Sequence, residues 1–125
     1  MDDAVREALS KDRLIDITTN GRRTRQPRRI EIAFAFDGAA LHITGRPGRR
    51  GWYANLRANP RFVVHLKQSL QRDLPASAEP VVDVAERQAF FAALAQRWPV
   101  IQPDFEGWLA RAPFVRVALD EQGAP

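Results

Sequence analysis

The sequence predicts a mainly β domain, an antiparallel barrel with flanking helices, on three observations. Apolar and polar residues alternate from Arg28 to Phe36, the period of a strand with one buried face. The strand-like segments follow one another through short turns, as hairpins do, instead of alternating with helices as a parallel sheet requires. The one long helical segment stands just before the last strand. Consecutive hairpin-linked strands that must bury one face close most simply into a barrel.

Each element has a local cause. Asp2 to Arg13 has helical composition, with Val5, Ala8 and Leu9 able to share a face. Leu14 to Thr19 alternates as a strand, and Asn20-Gly21 ends it as a turn. In Arg28–Phe36, Ile30, Ile32, Phe34 and Phe36 take the core face, opposite Arg29, Glu31, Ala33 and Ala35. Asp37-Gly38 is the hairpin turn, and Leu41–Thr44 returns as the partner strand. Gly45 to Gly51 holds three glycines and a proline, so it is a loop. Trp52 to Ala58 forms a short helix, stopped at Asn59-Pro60 because the residue before proline is pushed out of the helical region.

Arg61 to Leu70 is again a strand, with Phe62, Val64 and Leu66 opposite Val63, His65 and Lys67. A weak strand pair is expected near Leu70–Asp73 and Glu79–Val82. Asp83-Val84-Ala85-Glu86 forms a capping box that opens a helix to about Trp98, with Phe90, Phe91, Leu94 and Trp98 as its buried stripe. Pro99 to Pro103 is irregular, Asp104–Ala110 a turn or two of helix, and Phe114–Leu119 the last strand. The organisation is an N-terminal helical segment over 1–13, a barrel domain over 14–120 and a frayed tail over 121–125.

At 125 residues the chain is one domain with a sizeable core. Cysteine is absent, which excludes a disulfide scaffold, a thiolate metal centre and a cysteine nucleophile. Only His42 and His65 could ligate a metal through imidazole, so no metal site is expected. No apolar run approaches the roughly 20 residues that span a bilayer, and the acidic opening Met1-Asp2-Asp3 is unlike a signal peptide. A cytoplasmic location is expected, with peripheral membrane contact through the N-terminal helix left open.

The charge is concentrated. Eight arginines fall between Arg22 and Arg50 against Glu31 and Asp37, a local net of +6, while the chain as a whole is +4. One segment therefore carries the whole positive excess. Arginine's planar fork pairs bidentately with phosphate or carboxylate, so the cluster points to an anionic ligand. No Gly-x-Ser-x-Gly elbow, Walker loop or Gly-x-Gly-x-x-Gly fingerprint occurs. What remains is the turn Thr18–Arg29, the loop Gly45–Gly51 and the helix start Gly51–Pro60. The turn and the loop flank one hairpin, so both arginine groups can converge on one end of the barrel. The helix beginning at Trp52 brings its N–H groups and positive dipole end there as well. Trp52, Asn55 and Leu56 share a face, and a flat ring beside an amide suits an aromatic heterocycle, although core packing explains Trp52 and Leu56 equally well.

The motif Thr-Thr-x-Gly-Arg-Arg-Thr-x-Gln-Pro-Arg, followed by Trp-Tyr-x-Asn-Leu-x-Ala-Asn-Pro, resembles the deazaflavin-dependent nitroreductase family from about Leu14 to Leu119. Arg97-Trp98-Pro99 and Phe105-Glu106-Gly107-Trp108 echo its C-terminal segment. The resemblance implies a split antiparallel β-barrel related to the FMN-binding, pyridoxamine-phosphate-oxidase fold, and the coenzyme F-420, an 8-hydroxy-5-deazaflavin. It implies that Arg23, Thr24 and Arg28 hold the phosphate and the acidic oligoglutamyl tail. Thr44, Gly45 and Arg46 would line the ring edge or the phosphate, and Gly51, Trp52 and Asn55 would meet the ring or its ribityl chain.

Three departures from the family pattern shape the expectations. Arg25 stands where glycine is common, which predicts a different backbone in the turn. The loop before Trp52 is short, with arginines in place of a frequent lysine. Trp98, Ile101 and Phe105 replace substrate-facing tyrosines, so the pocket should favour an apolar acceptor over nitroimidazoles. The implied activity is hydride transfer from the reduced coenzyme to a quinone, enone, nitro compound or other small electrophile, with Tyr53, His42 or solvent as proton donor. A homodimer is also expected. The alternatives are an FMN- or haem-type split barrel without this catalysis, and a basic barrel binding single-stranded nucleic acid. The only aromatics between Arg22 and Arg50 are Phe34 and Phe36, on the apolar parity, which disfavours the nucleic-acid alternative.

Overall fold

The computed structural model describes residues 1–120; the tail expected over 121–125 lies outside the described residues. Six strands form the barrel: β1 (Leu14–Asn20), β2 (Pro27–Phe36), β3 (Leu41–Thr44), β4 (Arg61–Leu66), β5 (Arg72–Pro80) and β6 (Phe114–Leu119). Their order is β1-β2-β3-β6-β5-β4, with β4 closing back on β1 and every neighbouring pair antiparallel. The helices are α1 (Asp3–Lys11), α2 (Gly51–Ala58), α3 (Val84–Leu94) and α4 (Phe105–Arg111), with a 3-10 turn over Pro99–Asp104 before α4.

The barrel interior holds the alternating residues Ile15, Ile17, Phe34, Phe36, Leu41, Ile43, Phe62, Val64 and Leu66. Each end is plugged by a helix. α1, capped by Asp2 on the N–H groups of Ala4 and Val5, inserts Val5, Ala8 and Leu9 beside the start of β1. α2 inserts Trp52 and Leu56 at the other end. Burying a side chain such as Leu56 contributes about 1.5–3 kcal/mol. A second core cluster joins α3, the 3-10 turn and α4 to the barrel wall through Phe91, Leu94, Ile101, Trp108, Phe114 and Ala35. Antiparallel pairing puts the end of β1, the start of β2, the end of β3, the end of β5 and the start of β6 at one pole, together with α2. We call this the arginine pole.

Four elements differ from the sequence expectation. β5 is one nine-residue strand, not two fragments, and runs through Pro75. Pro75 pairs with Val63 on β4, and its carbonyl accepts from the Asp120 N–H where β6 has ended, so its missing N–H breaks no ladder bond. β4 stops at Leu66, because Gln68–Leu70 make the turn into β5. α3 stops at Leu94, with Phe90 and Trp98 only partly buried. Ile30, assigned to the core face, is 37% exposed. The cause is pairing: β3 meets β2 only from Phe34 to Phe36, so the first half of β2 pairs with β1 alone and projects past the barrel. That free edge, carrying Pro27, Arg28, Arg29 and Glu31, is protected by charge and proline.

Candidate functional site

The turn between β1 and β2 is tightly built. Gly21 N–H donates to Gln26 O at 2.9 Å, Arg25 N–H to Gly21 O at 2.9 Å, and Gln26 N–H to Thr24 Oγ1 at 3.2 Å. A Cβ on Gly21 would stand 3.0 Å from Thr24 Oγ1, so this close turn favours glycine. Arg25 has φ +60°, the left-handed region that glycine enters freely. The backbone is therefore glycine-like despite the arginine, contrary to the expected change of conformation. Arg22, Arg23, Arg25 and Arg28 are all solvent-exposed along this turn.

Asn55 ties the turn to α2. Its Nδ2 donates to Thr19 Oγ1 at 3.1 Å, and its Oδ1 accepts from the Arg22 N–H at 3.2 Å. Trp52 and Asn55 are both buried and face the barrel, so they support the site from behind. Thr44 acts similarly: its hydroxyl donates to Pro113 O at 2.7 Å, joining β3 to the start of β6. Gly45 lies against Trp52 and Pro113, whereas Arg46 is exposed. Gly48, at φ +124°, donates its N–H to Arg111 O at 3.2 Å and pins the loop to the end of α4. The N-cap of α2 is Arg50, with no side-chain cap bond and no acid in the first turn. Its first N–H groups and its positive dipole end therefore face an arginine loop without internal neutralisation.

Behind this loop lies a cleft of about 850 Å³. Its lining includes Arg22, Arg49, Arg50, Arg57 and Arg111 together with the apolar Val81, Val82, Leu109 and Pro113. Among the described residues no carboxylate lines it. Among the described residues none of these arginines forms an ion pair, whereas Arg29, Arg61, Arg72 and Arg116 each pair with an acid elsewhere. The unpaired cations are thus gathered where an anion can reach them.

Arg87 forms part of the cleft wall, and sequence reasoning missed it. Within Ala85-Glu86-Arg87-Gln88 it reads as a solvated helix residue, yet it is only 9% exposed. Its Nε donates to Leu109 O, Nη1 to Val81 O, and Nη2 to Trp108 O and Ala112 O, at 2.8–3.1 Å. Its guanidinium also lies over the rings of Phe91 and Phe114. Burial pushes its pKa down from the ordinary value. Arg57, Arg111 and the 81–84 segment were likewise absent from the expected site, because they reach it only through tertiary packing.

The remaining predicted residues are dispersed. Tyr53 lines the cleft, with the Arg57 guanidinium 5.9 Å from its ring centre. His42 lines neither cavity described here; it packs against Phe90 and Phe114 in the wall beneath α3. Burial and the Arg116 charge lower its pKa. Trp98 lines a second cavity of about 480 Å³ with Leu9, Leu14, Phe34 and Phe36, at the pole opposite the arginines. Ile101 is fully buried in the second core cluster and Phe105 is packed against it. Of the three residues expected to face the substrate, Trp98 therefore lies away from the arginine pole, and Ile101 and Phe105 are packed within the helical layer. Among the described residues no group of three metal-ligating side chains occurs.

A family model for F420H(2)-dependent quinone reductase matches residues 3–120. The chain belongs to that family. Within it, an F420H(2)-dependent quinone reductase of Mycobacterium tuberculosis (strain H37Rv) is 46% identical over 52 residues, which is 38% of this chain and 35% of the relative. The matched stretch thus spans about a third of the length of the curated relatives. Among solved structures, a Listeria innocua protein assigned as a pyridoxamine 5'-phosphate oxidase superposes with a TM-score of 0.71 at 12% identity, covering 95% of this chain and 93% of that one. The haem-storage protein of Vibrio cholerae gives 0.69 at 14% identity, covering 94% and 89%. A reductase described as F420-H2 dependent gives 0.61 at 19% identity, covering 86% and 93%. At such identities these likenesses show the fold, a split barrel with flanking helices. Unpaired arginines beside an uncapped helix start suit an anionic ligand.

Proposed function

We propose that this protein is an F-420-dependent oxidoreductase that reduces a quinone or similar small electrophilic acceptor, enones and nitro compounds included. The observation that carries the proposal is the arginine pole: arginines without carboxylate partners, on two flanks of one loop, around an uncapped helix start. When bound, the reduced deazaflavin supplies the hydride.

The chain's own residues bind, orient and neutralise. Arg23, Thr24 and Arg28 on the exposed turn take the coenzyme phosphate, with Arg46 reaching in from the loop. Thr24 Oγ1 already accepts from Gln26 N–H, which leaves its own hydrogen free to donate to an anionic oxygen. Gly51 brings the first N–H groups of α2 within reach without a side chain in the way. Trp52, Asn55 and Thr44 hold the loop and turn in register from behind, through the bonds to Thr19, Arg22 and Pro113. The proton completing the reduction comes from Tyr53 or from solvent; His42, packed under α3, is set aside.

Binding is the direct test. Each charge-assisted contact to phosphate contributes about 1.5–3 kcal/mol, so Arg23→Ala or Arg28→Ala should weaken F-420 binding about tenfold or more. Fluorescence titration with F-420, and with FMN as control, reads this. Unchanged affinity in both variants would remove the turn from the site. Binding of FMN alone would move the protein to a flavin ligand on the same fold.

A further inference from the structure

A closed barrel keeps a sheet edge only where a strand runs past its neighbour, and β2 does so. β3 covers it from Phe34 to Phe36, which leaves residues 27–33 paired with β1 alone. Residues 27–31 are exposed in an unbroken run. Ile30 among them has the parity of the core face and is nevertheless 37% exposed. The hairpin sets the hydrogen-bond phase of this edge. Gly21 N–H donates to Gln26 O across the turn, and the register carries that alternation to Arg28, Ile30 and Ile32, which bond to β1. The backbone groups of Arg29 and Glu31 therefore point to the open side. The flanking charges are only half engaged. Arg29 meets Asp16 through Nε, which leaves its terminal nitrogens, and Glu31 meets Lys67 through Oε2, which leaves Oε1.

A second copy of the same edge fits both the backbone phase and the charges. Antiparallel pairing about a two-fold axis at Ile30 sets Arg29 opposite the partner's Glu31, and Glu31 opposite the partner's Arg29. Both are hydrogen-bonding positions, so each such pair exchanges N–H and C=O bonds. Ile30 meets the partner's Ile30 at a non-bonded position, where facing side chains approach most closely. Arg28 lies against the partner's Ile32 and covers it with its methylene stem. Pro27 falls opposite the partner's Ala33 at the end of the ladder, where its missing N–H costs least. Moving the axis by one residue sets Arg29 against the partner's Arg29, or Glu31 against the partner's Glu31, and like charges directly opposite destabilise a sheet. The charges and proline that deter a foreign strand thus select one register of an identical one.

We propose that the open edge of β2 is a self-recognition surface, on which two copies of this chain pair strand to strand about Ile30 and continue the sheet from one barrel into the next. The proposal is independent of the coenzyme assignment. The paired segment is short, below the roughly 1,200 Å² of a stable interface, so association is weak and rises with concentration.

Sedimentation velocity of the coenzyme-free protein, run over a wide concentration range, reads the association. Wild type should move from monomer toward dimer as concentration rises. Arg29→Glu sets carboxylates against carboxylates, and Glu31→Arg sets guanidinium groups against each other, so each variant alone should stay monomeric. Mixed in equal amounts the two should recover the dimer, because position 29 of each then opposes the opposite charge at position 31 of the other. The chain has no cysteine, so Ile30→Cys supplies a single thiol. The pairing brings two such thiols within disulfide reach, and mild oxidation should cross-link this variant roughly tenfold faster than Arg28→Cys, whose counterpart is Ile32. A wild type that stays monomeric throughout overturns the proposal, as does equal cross-linking of the two cysteine variants. A dimer that both charge variants retain, or a mixture that fails to reassociate, overturns it as well. If a charge variant does not fold, the cysteine pair decides alone, since both cysteine variants keep Arg29 and Glu31.

Discussion

Replacing Arg87 by methionine is the sharpest test of how the cleft wall is held. The substitution keeps an aliphatic stem and removes four charge-assisted hydrogen bonds to the carbonyls of Val81, Trp108, Leu109 and Ala112. At about 1.5–3 kcal/mol each, a simple sum would be roughly 6–12 kcal/mol. Two effects reduce it. The cost of burying the guanidinium is recovered, and the bond to Leu109 O is only part-buried, so water can replace the guanidinium there. We expect a loss of about 3–5 kcal/mol, the range found when one partner is stripped from a buried charged network. A domain with 5–15 kcal/mol in hand would remain folded or stand near its threshold. Urea unfolding followed by tryptophan fluorescence measures it, with buried Trp108 as a reporter beside the site. Arg87→Lys keeps the charge but cannot reach carbonyls on both sides from a single ammonium, so it should recover less than half of the loss. A loss below about 1 kcal/mol in the methionine variant, or full recovery with lysine, would refute this account of the wall.

Other outcomes follow from single contacts. Asn55→Ala leaves the buried Thr19 hydroxyl and the Arg22 N–H without partners, and should cost about 2–3 kcal/mol, lowering Tm by roughly 10 °C. Asn55→Asp keeps the acceptor for Arg22 and should cost less; equal melting temperatures would dismiss the clamp. At Arg25, glycine should be close to neutral, because relief of the left-handed conformation offsets glycine's extra unfolded-state entropy, whereas valine should cost more than about 1 kcal/mol. Equal stability of the two variants in urea would contradict the φ assignment. His42 is held below its ordinary pKa of 6.5 by burial first and then by Arg116, so the unfolded chain binds a proton more readily than the native one. Its contribution is fully present above pH 6.5 and is lost as pH falls through the folded value; His42→Phe should flatten that part of the stability profile, and an unchanged slope would count against it.

The local elements were largely legible because their causes are local. The alternation in β2, the Asp37-Gly38 turn, the Asn59-Pro60 stop and the Asp83 cap all act over a few residues. In the structure Asp37 accepts from Ala39 and Ala40, and Asp83 from Glu86, at the expected places. Strand β5 was not legible, because Pro75 is tolerated only where β6 has already ended. Ile30 was misplaced because the pattern shows which face a side chain takes and not whether a neighbouring strand covers it. The arginine-rich turn and loop stood out as composition, but Arg57, Arg87 and Arg111 did not, since each sits alone in an ordinary helical sequence.

By itself, the sequence determined the class of fold, the hairpin that brings two arginine groups together, and the charge that calls for an anionic ligand. Those depend on periodicity and composition, which act within a strand or a turn. Tertiary structure alone decided which arginines remain unpaired, which side chains face the barrel, and where the cleft opens. The physical reason is distance along the chain. Arg22, Arg57, Arg87 and Arg111 meet only because α2 plugs the barrel and α4 returns to the same pole, and no local pattern records contacts of that range.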